Sequence, residues 1–205
     1  MTTTSCRLLL TCLVSLLPAA VACGQPDTSP HQVGTFDVDG VELHYLDWGG
    51  SGEPLVFLTG YGAQAHVFDR LATHFTDRFR VVALTRRGQE PPGRPAGGYD
   101  HATLTGDVAA LMDTLGFERA HLAAHSFGGA EATRLATTFP ERVLSIVYLD
   151  AALNPAVGEA VRAEAPVPNP VPPPGSPYAQ VLEWWTAYTP DFTAVDCPSL
   201  AFFAV

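Results

Sequence analysis

Leu122-Ala123-Ala124-His125-Ser126-Phe127-Gly128-Gly129 decides the reading of this chain. An apolar run, Ala120 to Ala124, meets a serine wedged between small residues, and a helical pattern starts directly after it. This is the form of a nucleophile elbow, a sharp strand-to-helix turn that holds a serine Oγ clear of the top of a sheet. The turn is tight, so the positions two before and two after the serine must be small. Ala124 and Gly128 meet that demand, with Ala where Gly is commoner. A helix N-terminus behind Ser126 aims backbone N–H groups at any negative charge developing there. Ala-x-Ser-x-Gly also arises by chance. Here a strand precedes it, a helix follows it, and a second motif lies upstream.

Working outward, Thr35–Val38 and Val41–Leu46 alternate around Asp39-Gly40, which predicts a hairpin with a tight Asp-Gly turn. Leu55–Leu58 and Arg80–Leu84 are continuous apolar runs, as expected of buried parallel strands. Helical spacing over 65–75 runs through Val67, Leu71, Ala72 and Phe75. A second helix over 101–115 places Leu104, Val108, Leu111 and Leu115 on one face and stops at Gly116. The strand into Ser126, a helix over 129–138 and a strand over 143–149 follow. Alternating strands and helices imply crossover units and a parallel sheet flanked by helices. The proline-rich stretch beyond Asp150, with Trp184, Trp185 and Tyr188 in a short helix, predicts an insertion over 151–196 lying across the site. Ser199 to Val205 reads as a last apolar strand.

Composition bounds the rest. The 205 residues are 47% hydrophobic and 16% charged, enough for one domain with a sizeable core. Net charge is −10 and none of the basic residues is a lysine, which argues against a nucleic-acid partner. Residues 1–22 read as a signal peptide: Arg7, an apolar run from Leu8 to Leu17, then Ala20-x-Ala22. Cys23 follows at once, so the same cleavage site resembles a lipoprotein signal in which Cys23 carries the lipid. A freely secreted chain with Cys23 as a bare thiol is the other reading, and both place the protein outside the cytoplasm. Residues 23–34 read as a tether. Cys197 then has no partner for a disulfide. No metal-ligand cluster stands out, and no cofactor is expected.

Four features together resemble the α/β-hydrolase family: Ala124-His125-Ser126-Phe127-Gly128-Gly129; Phe57-Leu58-Thr59-Gly60-Tyr61-Gly62, with Thr59 where the family carries His; Thr85-Arg86-Arg87-Gly88, with Thr85 where it carries Asp; and Phe139-Pro140-Glu141-Arg142-Val143. The resemblance covers 36–205. It implies Ser126 as nucleophile and the N–H groups of Tyr61 and Phe127 as the oxyanion hole. It implies a small ester or related acyl substrate, cleaved through an acyl-enzyme. Haloalkane- and epoxide-opening members of the fold use an Asp nucleophile, which Ser126 argues against.

A serine needs a base. The family order is serine, acid, histidine, and no histidine follows His125. His66 starts the helix after the oxyanion turn and is a candidate; His125 and His121 are expected to pack structurally. Asp150, ending its strand at the reactive edge of the sheet, is the candidate acid. The expectation is a hydrolase domain incomplete at its C-terminal end. The competing expectation is a catalytically incomplete or non-catalytic binding protein on the same fold.

Overall fold

A computed structural model describes residues 30–89, 95–151, 173–176, 179–180, 183 and 191–202. Cys23, most of the proline-rich stretch, Trp184, Trp185 and Tyr188 lie outside the described residues. Seven strands form one sheet: β1 (Gln32–Val38), β2 (Val41–Gly49), β3 (Glu53–Leu58), β4 (Phe79–Thr85), β5 (Ala120–His125), β6 (Val143–Leu149) and β7 (Ser199–Phe202). Their spatial order is β1-β2-β4-β3-β5-β6-β7. β1–β2 and β2–β4 are antiparallel, and every other pairing is parallel. At the β1–β2 turn, Asp39 and Gly40 both take positive φ (53° and 79°), the twist-matched geometry an Asp-Gly pair favours.

The central strands are apolar throughout because both faces are covered. Val56, Leu58, Val82, Leu84 and Leu122 meet α2 (His101–Thr114) and α3 (Gly128–Thr138) on one face, through Val108, Leu111 and Leu135. Leu55, Phe57, Val81 and Ala83 face the other way, onto Ala65, Phe68 and Ala72. Burying each large aliphatic or aromatic side chain contributes about 1.5–3 kcal/mol, so this two-sided core is the main stabilising term.

Three expectations are corrected. β1 starts at Gln32, so the last tether residues are sheet, paired from Gln32↔Asp47 onward. The helix expected over 65–75 is a 3₁₀ turn, Ala65–Phe68, running into a single α turn, α1 (Asp69–Ala72). Tertiary anchors set its phase: the Ala65 N–H donates to Thr85 Oγ1 at 3.0 Å, and Phe68 stacks on Phe57 at 4.6 Å between centroids. Val67 is left exposed instead of facing the core. Finally, the end of the expected insertion belongs to the sheet's packing. Phe192 meets Tyr148 edge-on at 5.9 Å, and Phe192, Val195 and Cys197 all pack on the core cluster.

Candidate active site

β5 ends at His125 and α3 begins at Gly128, leaving two residues to reverse the chain. Ser126 makes the reversal with a left-handed backbone, φ 50°. That region is uncommon outside glycine and persists where surrounding contacts enforce it. Its N–H still donates to Leu149 O at 3.2 Å, and its C=O accepts from Gly129 N at 3.0 Å, opening the helix. The small flanks have a measurable reason. A Cβ on Gly128 would stand 2.7 Å from the Leu58 carbonyl oxygen and 2.9 Å from its carbon. Ser126 is half-buried, while Phe127 behind it is buried.

The turn after β3 lies directly against this elbow. A Cβ on Gly60 would come within 2.9 Å of His125 Nδ1 and 3.3 Å of Ser126 Cβ, so a larger residue would have to displace the His125 ring. Tyr61 follows, its ring edge-on to Phe127 at 6.3 Å. Tyr61, Tyr99, Leu104, Phe127 and Ala130 make a small apolar cluster beside the elbow. The sequence-derived trio Ser126, Tyr61 and Phe127 is thus brought together. Asp150 joins the same edge: the register His125↔Leu149 sets Ser126 and Asp150 at the ends of neighbouring strands. Asp150 is exposed and also left-handed, φ 48°.

Sequence reasoning missed the strap beneath. Arg86 is buried and donates through Nε and Nη2 to Glu131 Oε1 and Oε2, at 2.6 and 2.7 Å. Its remaining donors reach the carbonyls of Gly60 (3.2 Å) and Thr59 (2.9 Å), and its guanidinium lies 4.7 Å over the Phe127 ring. One side chain therefore ties the turn after β3 to α3. Burial pushes the Glu131 carboxyl up, and the Arg86 charge and its hydrogen bonds oppose that shift. Alongside, Arg87 Nε donates to Asp107 Oδ2 at 2.6 Å, another buried pair. The available signal was a carboxylate on the core-facing side of each helix, Asp107 between Leu104 and Val108, and Glu131 beside Ala132 and Leu135. Two such buried charges call for two buried cations, and Arg86-Arg87 are adjacent.

Two of the described histidines, His121 and His66, are engaged by other partners. His121 Nδ1 meets Ser145 Oγ at 2.8 Å and its Nε2 meets Glu53 Oε2 at 3.2 Å, the structural role expected. His66 Nδ1 meets Asp69 Oδ2 at 2.9 Å. His125 packs its ring against Gly60.

Strand, elbow and turn together define an α/β-hydrolase architecture. A family model described as alpha/beta hydrolase fold matches residues 53–173, more than half of the chain, and the chain belongs to that family. Among similar proteins, a fluoroacetate dehalogenase from Burkholderia sp is 38% identical over 107 residues, 50% of this chain and 35% of the dehalogenase. A non-heme chloroperoxidase from Streptomyces lividans is 37% identical over 116 residues, 55% of this chain and 42% of that enzyme. The chain thus spans well under half the length of these relatives. The crystal structure of a membrane phospholipase A, described as a bacterial virulence factor, superposes with TM-score 0.67 at 27% identity, over 83% of this chain and 69% of that one.

Proposed function

We propose that this chain carries the nucleophile half of a serine hydrolase acting on a small ester or related acyl substrate. The observation that carries the proposal is the left-handed Ser126 with the Gly60-Tyr61 turn packed against it. In this reading Ser126 Oγ attacks the substrate carbonyl. The carbonyl oxygen becomes an oxyanion held by the N–H groups of Tyr61 and Phe127, and the acyl group passes to the serine as the alcohol leaves. Water then releases the acid. Asp150 serves as the acid that orients the histidine base.

The relatives' names span several bond types, dehalogenation among them. Displacing halide from saturated carbon suits a carboxylate, which is anionic at neutral pH. A serine hydroxyl instead suits a carbonyl, where a base removes its proton during attack. The similarity to a phospholipase A supports the ester. Export, with Cys23 lipidated or the chain freely secreted, belongs to the same proposal and rests on the N-terminal sequence.

The test is hydrolysis of p-nitrophenyl acyl esters by the whole protein from its native source. Turnover that falls by about 10⁴-fold or more in Ser126→Ala supports the reading. Turnover unchanged in that variant removes Ser126 from the chemistry. No turnover by the natural protein favours a binding protein on the same fold.

A further inference from the structure

The sequence suggested no metal-ligand cluster, but folding assembles one on the sheet face away from α2 and α3. His66 and Asp69 are one helical turn apart, so their side chains share a face. β1 brings His31, the residue just before it, to the same spot, where Trp48 packs edge-on to its ring at 6.0 Å. The two imidazoles lie 5.2 Å apart between centroids. Each oxygen of the Asp69 carboxylate faces a different ring: Oδ2 is 2.9 Å from His66 Nδ1, and Oδ1 is 3.8 Å from His31 Nδ1.

We propose that His31, His66 and Asp69 bind a divalent transition-metal cation, Zn²⁺ being the best chemical fit. Two imidazole nitrogens and a carboxylate oxygen are a borderline donor set that zinc accepts. Bonds of about 2.0–2.2 Å in tetrahedral array put donor atoms about 3.3–3.5 Å apart. The nearest approaches are 2.9 Å to one carboxylate oxygen and 3.8 Å to the other, and one potential donor atom from each residue lies within 4.8 Å of the others. Closing the site requires side-chain rotations that draw donors lying within 4.8 Å of one another to that tetrahedral spacing. Binding His66 through Nδ1 selects the tautomer with its proton on Nε2 and exchanges the hydrogen bond to Asp69 for a shared cation.

The electrostatics favour occupancy. The Asp69 side chain is only 9% exposed, and a bound cation stabilises a buried carboxylate. The His66 side chain is 44% exposed, so a fourth position opens to water and the ion exchanges with solvent. Bound metal would join the segment entering β1 to the turn that follows Gly60-Tyr61. It would lie apart from Ser126 and act on stability, not on the bond-breaking step.

The test uses tag-free full-length chain stripped with EDTA and titrated with Zn²⁺ alone, by calorimetry and thermal denaturation. The expected result is one equivalent bound with Kd at or below about 10 µM, and a Tm rise of roughly 5–10 °C at a hundredfold excess over Kd. His31→Ala and His66→Ala each weaken binding by at least about tenfold. His74→Ala, which changes an exposed histidine elsewhere, does not. His66 is itself exposed, so its variant folds and gives a readable result. No Zn²⁺ binding by the natural chain, or equal binding by the His31→Ala/His66→Ala double variant, overturns the proposal and leaves the trio as a hydrogen-bonded latch.

Discussion

Ser126 and Asp150 leave neighbouring parallel strands at the same level, and both do so with left-handed backbone, φ 50° and 48°. Each amide is still held by the next strand, Ser126 N by Leu149 O at 3.2 Å and Asp150 N by Phe202 O at 2.6 Å. The ladder fixes the residue while the backbone is forced to turn. Non-glycine residues in this region cost about 1–3 kcal/mol each, and here both lie at the edge where the chemistry is proposed.

That strain is measurable at Ser126. Ser126→Gly and Ser126→Ala both delete the hydroxyl, but only glycine takes positive φ freely. After the extra unfolded-state entropy of glycine is subtracted, Ser126→Gly should be the more stable of the two by about 1 kcal/mol. Urea denaturation of the pair reads the difference. Equal stabilities would mean the left-handed turn is not enforced.

Gly128 carries the steric half of the elbow. Gly128→Ala sets a methyl against the Leu58 backbone at 2.7 Å, and backbone cannot swing aside. The expected loss is about 1–3 kcal/mol, seen as a lowered urea midpoint with unchanged slope. Gly106→Ala, in α2 with open space around it, is the control and should be neutral or stabilising.

Arg86 tests the strap. Arg86→Ala strands Glu131 as a buried carboxylate without its partner, a loss of about 3–5 kcal/mol. Arg86→Met/Glu131→Met removes both charges and should recover much of that stability. If Arg86 also positions the turn through the Thr59 and Gly60 carbonyls, the double variant stays folded yet loses ester turnover. A folded, fully active double variant would confine Arg86 to stability.

Asp100 gives a pH signature. Burial works against its charge, but the Thr103 hydroxyl and the amides of Thr103 and Ala102 outweigh it and hold its carboxyl below the usual value. A depressed carboxyl contributes stability that is present above its unfolded pKa and lost as pH falls through the folded one. Asp100→Ala should therefore cost about 1 kcal/mol at pH 7. The gap should close as pH falls below about 4. A gap that persists to pH 2 would exclude the charged cap.

The sheet was legible because its strands are short apolar runs separated by helical spacing, and the elbow was legible because Ala124 and Gly128 obey a steric rule. The helix expected over 65–75 was misphased because its register comes from Thr85 and Phe57, distant in sequence. The strap was hidden for the same reason: Arg86 and Glu131 are 45 residues apart, and nothing local pairs them. The departure at Thr85 became intelligible only in three dimensions, where its hydroxyl accepts the Ala65 amide.

Fluorophosphonate labelling of the whole natural protein, with the adduct located by peptide mass spectrometry, tests Ser126 as the nucleophile. A nucleophilic serine at the elbow gives a single phosphonylated peptide with the label on Ser126, absent in Ser126→Ala. An unlabelled protein, or a label on any other residue, would contradict it.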